Sequence, residues 1–141
     1  MNDEDFKIVG DHAEYRPMGR ISLQQAIKMV AAAISLARER HVRNLLIDVS
    51  HLTGFKPPSV IDRYHFMHEW ARAAGGTVRI AMVARPEMID PQKFGVTVGV
   101  NLGLTSDVFA SEEEALRWLT ESSKSDPKPA DGPRPSSDKN P

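Results

Sequence analysis

The sequence predicts an α/β domain, a mixed sheet of about five strands with helices mainly on one face. Three observations carry this. Short apolar runs typical of covered strands, such as Leu45-Leu46-Ile47-Asp48-Val49 and Val78 to Ala84, alternate with longer segments of helical periodicity. Helix start signals recur ahead of those segments, and alternation of this kind implies parallel strands joined by crossovers. With 141 residues, the chain suits one compact domain rather than two.

The first elements are two short extended runs, Phe6 to Val9 and Ala13 to Met18, separated by the turn signal Gly10-Asp11-His12. Pro17 suits an edge strand, where a missing N–H removes no ladder bond. Ser22 and Gln25 have capping-box spacing, and Leu23, Ala26, Ile27, Val30, Ile34 and Ala37 then form one helical stripe. The strand at 45–49 leads into a loop, Ser50 to Pro58, and a second helix from Ser59 to Ala74, stopped by Gly75-Gly76. In that helix Val60, Tyr64, Met67 and Ala71 are expected to face the core, which leaves Phe66 exposed and Trp70 at the margin.

Residues 94–102 alternate as a strand does, yet Asp90-Pro91 is a good N-cap and N1 pair and Gly103 a good C′ residue. Parallel strands also need a crossover there, so a helix is expected. A last strand, Ser106 to Ala110, precedes a helix opened by Ser111 and Glu114, with Ala115, Leu116 and Leu119 facing inward. The domain is expected to occupy 1–121. The remainder, 122–141, holds half of the prolines and no large apolar residue, so it is expected to be disordered.

Composition narrows function. The 18 basic and 19 acidic side chains leave a net charge of -1, which gives no electrostatic reason to expect nucleic acid. With no cysteine, disulfides, thiolate catalysis and cysteine-ligated metals are excluded. No apolar run approaches the roughly 18 residues of a membrane span, and the acidic N-terminus is unlike a secretory signal, so a cytoplasmic protein is expected and not an integral membrane one.

The run LLIDVSHLTGFKPPSV resembles the central motif of STAS domains, the bacterial anti-sigma-factor antagonists. GLTSDVFASEEEALRWL resembles the last strand and helix of that superfamily, and RPEMIDPQKFGVTVGVNLGL is similar to an uncharacterised bacterial branch of it. The resemblance implies a single STAS-like domain acting as a non-enzymatic regulatory or protein-interaction module. Its phosphorylatable Asp-Ser-Ser-Gly turn aligns here with Lys56-Pro57-Pro58-Ser59, so the family's switch is missing at the family's position. Ser59 and Thr53 are the substitute acceptors.

In open α/β sheets ligands sit beyond the carboxyl ends of parallel strands. The loops at 50–59 and 85–91 leave such ends, and the binding rim is expected to comprise Thr53, Phe55, Lys56, Ser59, Phe66, Arg85, Glu87, Met88 and Ile89. A protein partner is expected there, with a homodimer contact as an alternative use of the exposed aromatics. The second reading is a carrier or sensor of a small apolar ligand or lipid, which the related SEC14-like domains make consistent with the resemblance. A pocket lined by Met88, Ile89 and residues of 94–104 would favour it. Asp62, His65, His68 and Glu69 have helical spacing for a metal site, but a solvated, charge-paired helix face is the preferred reading. Successive turns of one helix cannot align Ser59, Asp62 and His65 as a triad, so no catalytic residues are expected, and no cofactor.

Overall fold

The computed structural model describes residues 5–124. Strands β1 (Phe6–Val9), β2 (His12–Tyr15), β4 (Asn44–Asp48), β6 (Arg79–Val83) and β7 (Ser106–Phe109) form one sheet in the order β1-β2-β4-β6-β7. The β1–β2 pair is antiparallel and every other neighbour is parallel, so the sheet is mixed. The two residues of β3 (Gly19–Arg20) pair in parallel with β5 (Leu52–Thr53) in a separate two-stranded ladder. That ladder is too short to leave a periodic trace in the sequence. Helices α1 (Leu23–Glu39), α2 (Val60–Ala74) and α3 (Phe94–Asn101) are the crossovers, and α4 (Glu112–Lys124) comes after the last strand.

Capping sets the helix starts. Ser22 with Gln25 and Ser59 with Asp62 both form complete capping boxes, and the Ser111 hydroxyl accepts from the Glu114 amide. Gly75 ends α2 in the left-handed conformation. Residues 94–101 are helical, as the crossover argument requires, but Asp90 is not the N-cap residue. The helix begins later, and the Asp90 carboxylate reaches forward to accept from the amides of Gln92 and Phe94 (3.2 and 2.8 Å). Pro17 also departs from expectation. The strand stops at Tyr15, β2 lies inside the sheet, and Pro17 is fully buried in the chain leading to β3.

Three helices cover one face and α4 alone covers the other. Because side chains alternate along a strand, Leu45, Ile47 and Ile80 join the α1–α3 core, while Leu46, Ala81 and Val83 pack with Ala115 and Leu119 of α4. Residues 122–124 continue α4, so the helix runs past the expected boundary at Ser122, and the rest of the expected tail, 125–141, lies outside the described residues.

The expected phase of α2 is overturned. Phe66, Met67, Trp70 and Ala74 are buried, whereas Val60 and Tyr64 are 58% and 46% exposed. Two apolar stripes overlap on this helix, and the one with the two large rings wins because it removes more apolar area from water. Phe66 and Trp70 stack at 4.3 Å, and the Trp70 indole N–H donates to the Ile27 carbonyl (3.1 Å), so the polar edge of the ring is satisfied inside the core.

Candidate functional site

The α1–α3 face is not fully packed. A cavity of about 130 Å³ lies between the helices and strands β6 and β7. Its floor is Ile80, Met82 and Ala84, its walls are Ile27 of α1, Phe66, Met67 and Trp70 of α2 and Gly95 and Val96 of α3. Its roof is the 85–89 segment, a single 3₁₀ turn at Pro86–Met88 that turns the Met88 and Ile89 side chains inward. Phe55 and Pro58 close it from the other loop.

Helices α2 and α3 meet through a small-residue contact. Gly95 and Gly99 bring the α3 backbone against Met67, and a Cβ at Gly99 would come within 2.8 Å of the Met67 methyl. The spacing Gly-x-x-x-Gly is therefore explained by close helix packing, with the flexible Met67 side chain filling the contact and bordering the cavity.

The charged residues that line the cavity are Arg63, Arg85, Asp90, Lys93 and Asp107. The Arg63 guanidinium donates to the Met88 carbonyl (3.3 Å) and that of Arg85 to the Leu52 carbonyl (3.2 Å). Lys93 is paired with Asp107 at 2.6 Å. Asp90 is held below its ordinary carboxylate range, first by the Phe94 amide, with smaller help from the Gln92 amide and the Arg63 charge.

The residues expected at the rim divide in two. Phe55, Phe66, Arg85, Met88 and Ile89 line the cavity, Phe66 as a buried wall rather than an exposed anchor. Thr53, Lys56, Ser59 and Glu87 are exposed and do not line it. Ser59 caps α2, accepting from the Asp62 amide at 3.1 Å, and Thr53 sits in β5. Arg63 and Lys93 are rim residues that sequence reasoning missed, and a correct phase for α2 would have located Arg63. Of the metal alternatives, Asp62 is held in the capping box and Glu69 pairs with Lys28 at 3.0 Å. The Tyr64 ring contacts both His65 and His68. Among the described residues, no three histidine or carboxylate side chains are grouped to hold a metal ion, and no helix is long and apolar enough to cross a membrane.

A second polar cluster lies on the opposite face. Arg16 makes two bonds to Glu112 (2.7 and 2.8 Å) and one to Glu14 (2.7 Å), and Glu14 also contacts His12 at 2.8 Å. Chiefly the Arg16 bonds hold the Glu112 carboxyl down at about 2. Asp48 is buried, and its carboxylate accepts from the amide and hydroxyl of Ser50 (2.9 and 2.6 Å). These bonds tie the start of α4 to the ends of β2 and β4 and face away from the cavity.

No family model and no curated protein matches the chain. Among solved structures, it is similar to the anti-sigma factor antagonist SpoIIAA in its unphosphorylated form, at 20% identity over 82% of this chain and 96% of that one, with a TM-score of 0.42. It is also similar to an uncharacterised protein of SpoIIAA-like fold from Shewanella loihica, at 16% identity over 81% of this chain and 89% of that one, with a TM-score of 0.47. At these identities the likeness is one of fold alone.

Proposed function

We propose that this chain is a non-enzymatic binding module that takes a small, largely apolar molecule into the cavity between α1–α3 and the sheet. One observation carries the reading. The cavity, about 130 Å³, lies beneath the loops that leave two parallel strands and is lined mostly by apolar side chains, with Arg63, Arg85, Asp90, Lys93 and Asp107 as its charged residues. Its volume compares with that of an engineered apolar cavity of about 150 Å³, which stays dry and admits benzene. The rim side chains are bonded to main-chain carbonyls and amides or to each other, which suits holding a ligand rather than supplying a nucleophile. Native mass spectrometry of protein purified gently from its own cells tests this. An added mass that leaves on denaturation is expected, and a bare polypeptide mass would count against the reading.

A second reading is favoured by the start of α2, where Val60, Ile61 and Tyr64 are 58%, 68% and 46% exposed beside the exposed Ser59. Contiguous exposed apolar side chains of this kind suit a protein partner, as a regulatory module would need. Phosphate on Ser59 would place charge beside that patch. Ser59→Asp is then expected to weaken a partner complex that Ser59→Ala leaves intact. Equal affinity of the two variants removes the phosphorylation element.

A further inference from the structure

The charges at the cavity mouth are unequal in what binds them. Lys93 is neutralised by Asp107 at 2.6 Å. The two Asp90 oxygens are occupied by the Gln92 and Phe94 amides, which fix that carboxylate at the start of α3. The two guanidiniums are differently placed. Arg63 reaches the Met88 carbonyl of the 3₁₀ turn and Arg85 the Leu52 carbonyl, and both side chains line the cavity. Each donates to one neutral main-chain oxygen. The Arg85 Nε is buried with no hydrogen-bond acceptor among the described residues, its nearest acid being the exposed Glu87 at 3.7 Å. A guanidinium carries five N–H donors in a planar fork suited to a carboxylate. Two of them line the apolar cavity, and the buried Arg85 Nε is a donor that an incoming carboxylate would satisfy.

We infer that the occupant is a small carboxylic acid, an aryl or short acyl carboxylate, with its hydrocarbon in the cavity and its carboxylate between Arg63 and Arg85. The inference rests on the cavity being a ligand site and adds the chemical class of the ligand. The cavity's size sets the hydrocarbon at about a benzene ring. The partly exposed arginine side chains place the carboxylate at the surface, where it stays hydrated on one side and avoids the full penalty of charge burial.

Phenylacetate and 2-phenylethanol separate the two claims, since they match in shape and differ in charge. Titration calorimetry on the full chain should show the acid binding about tenfold more tightly than the alcohol, as charge-assisted bonds to arginine imply. Rising salt should narrow that ratio by screening the exposed side of the pair. In the double variant Arg63→Gln, Arg85→Gln the preference for the acid over the alcohol should vanish. Should that variant not fold, the salt dependence of the wild-type ratio still decides. Binding of the alcohol with no preference for the acid would overturn the carboxylate assignment and leave the cavity reading intact. Binding of neither would overturn both.

Discussion

The two faces of the central sheet bury their side chains to different ends. On the α4 face Leu46, Ala81 and Val83 meet Ala115 and Leu119 in a small cluster, flanked by the Arg16–Glu112 bonds that hold α4 in place. On the other face three helices enclose a far larger apolar cluster, and it is there that the cavity lies. Layers of apolar side chains normally interdigitate to near-crystalline density, so a hollow is a departure that loses contact energy along its whole lining. The departure coincides with the carboxyl ends of β4 and β6 and with a roof made of a loop. The hollow face is the one we propose takes the ligand.

The contrast can be broken by substitution. Leu46→Ala on the solid face, where the side chain is wholly buried, should cost about 3 kcal/mol in chemical denaturation. Met82→Ala, half-buried beside the existing cavity, should cost clearly less. Equal losses would mean that the faces do not differ. Enlarging side chains should give opposite signs. Ala115→Leu, fully buried under α4, should lose about 2 kcal/mol through overpacking. Ala84→Val, which points into the cavity, should be neutral or raise stability by up to about 1 kcal/mol.

The charged flank of the solid face sharpens the comparison through pH. The Glu112 carboxyl is held down at about 2, chiefly by Arg16, against an ordinary value of 4.5. A carboxyl depressed in the folded state stabilises above its unfolded value, and that contribution is lost as pH falls from about 4.5 toward 2. With about a third of the side chain exposed, solvent screening reduces the effect to about 1 kcal/mol. Wild type should therefore lose stability more steeply than Glu112→Gln across that window, as measured by thermal melts at stepped pH. The smallest effect is at α3. Gly95→Ala, whose Cβ would make an ordinary 3.5 Å contact with Met67, should raise stability by about 0.5 kcal/mol through helix propensity. Gly99→Ala should gain less, because its Cβ forces the Met67 methyl to move.

Much of the solid architecture is visible in the residues themselves. Capping-box spacings at Ser22 and Ser111 mark two helix starts because a serine hydroxyl satisfies an orphan amide three residues on. The need to connect β6 to a parallel β7 made 94–101 helical against its alternating pattern. What the sequence hides is long-range. The β3–β5 ladder is two residues deep, and its pairing depends on where two distant loops meet. The phase of α2 was obscured by overlapping stripes, decided only when Phe66 and Trp70 found each other and the Ile27 carbonyl. Half of the rim was legible from topology alone, since Phe55, Arg85, Met88 and Ile89 belong to loops beyond strand ends. A cavity is a shortfall in packed volume, and no local pattern encodes it.

The most direct test is methyl-resolved NMR of the protein titrated with benzene. Shifts are expected at the Met67 and Met88 methyls and at Ile27 and Ile80, with Ala115 and Leu119 unmoved. Unchanged spectra, or shifts centred on the α4 face, would contradict the assignment of the hollow face as the binding site.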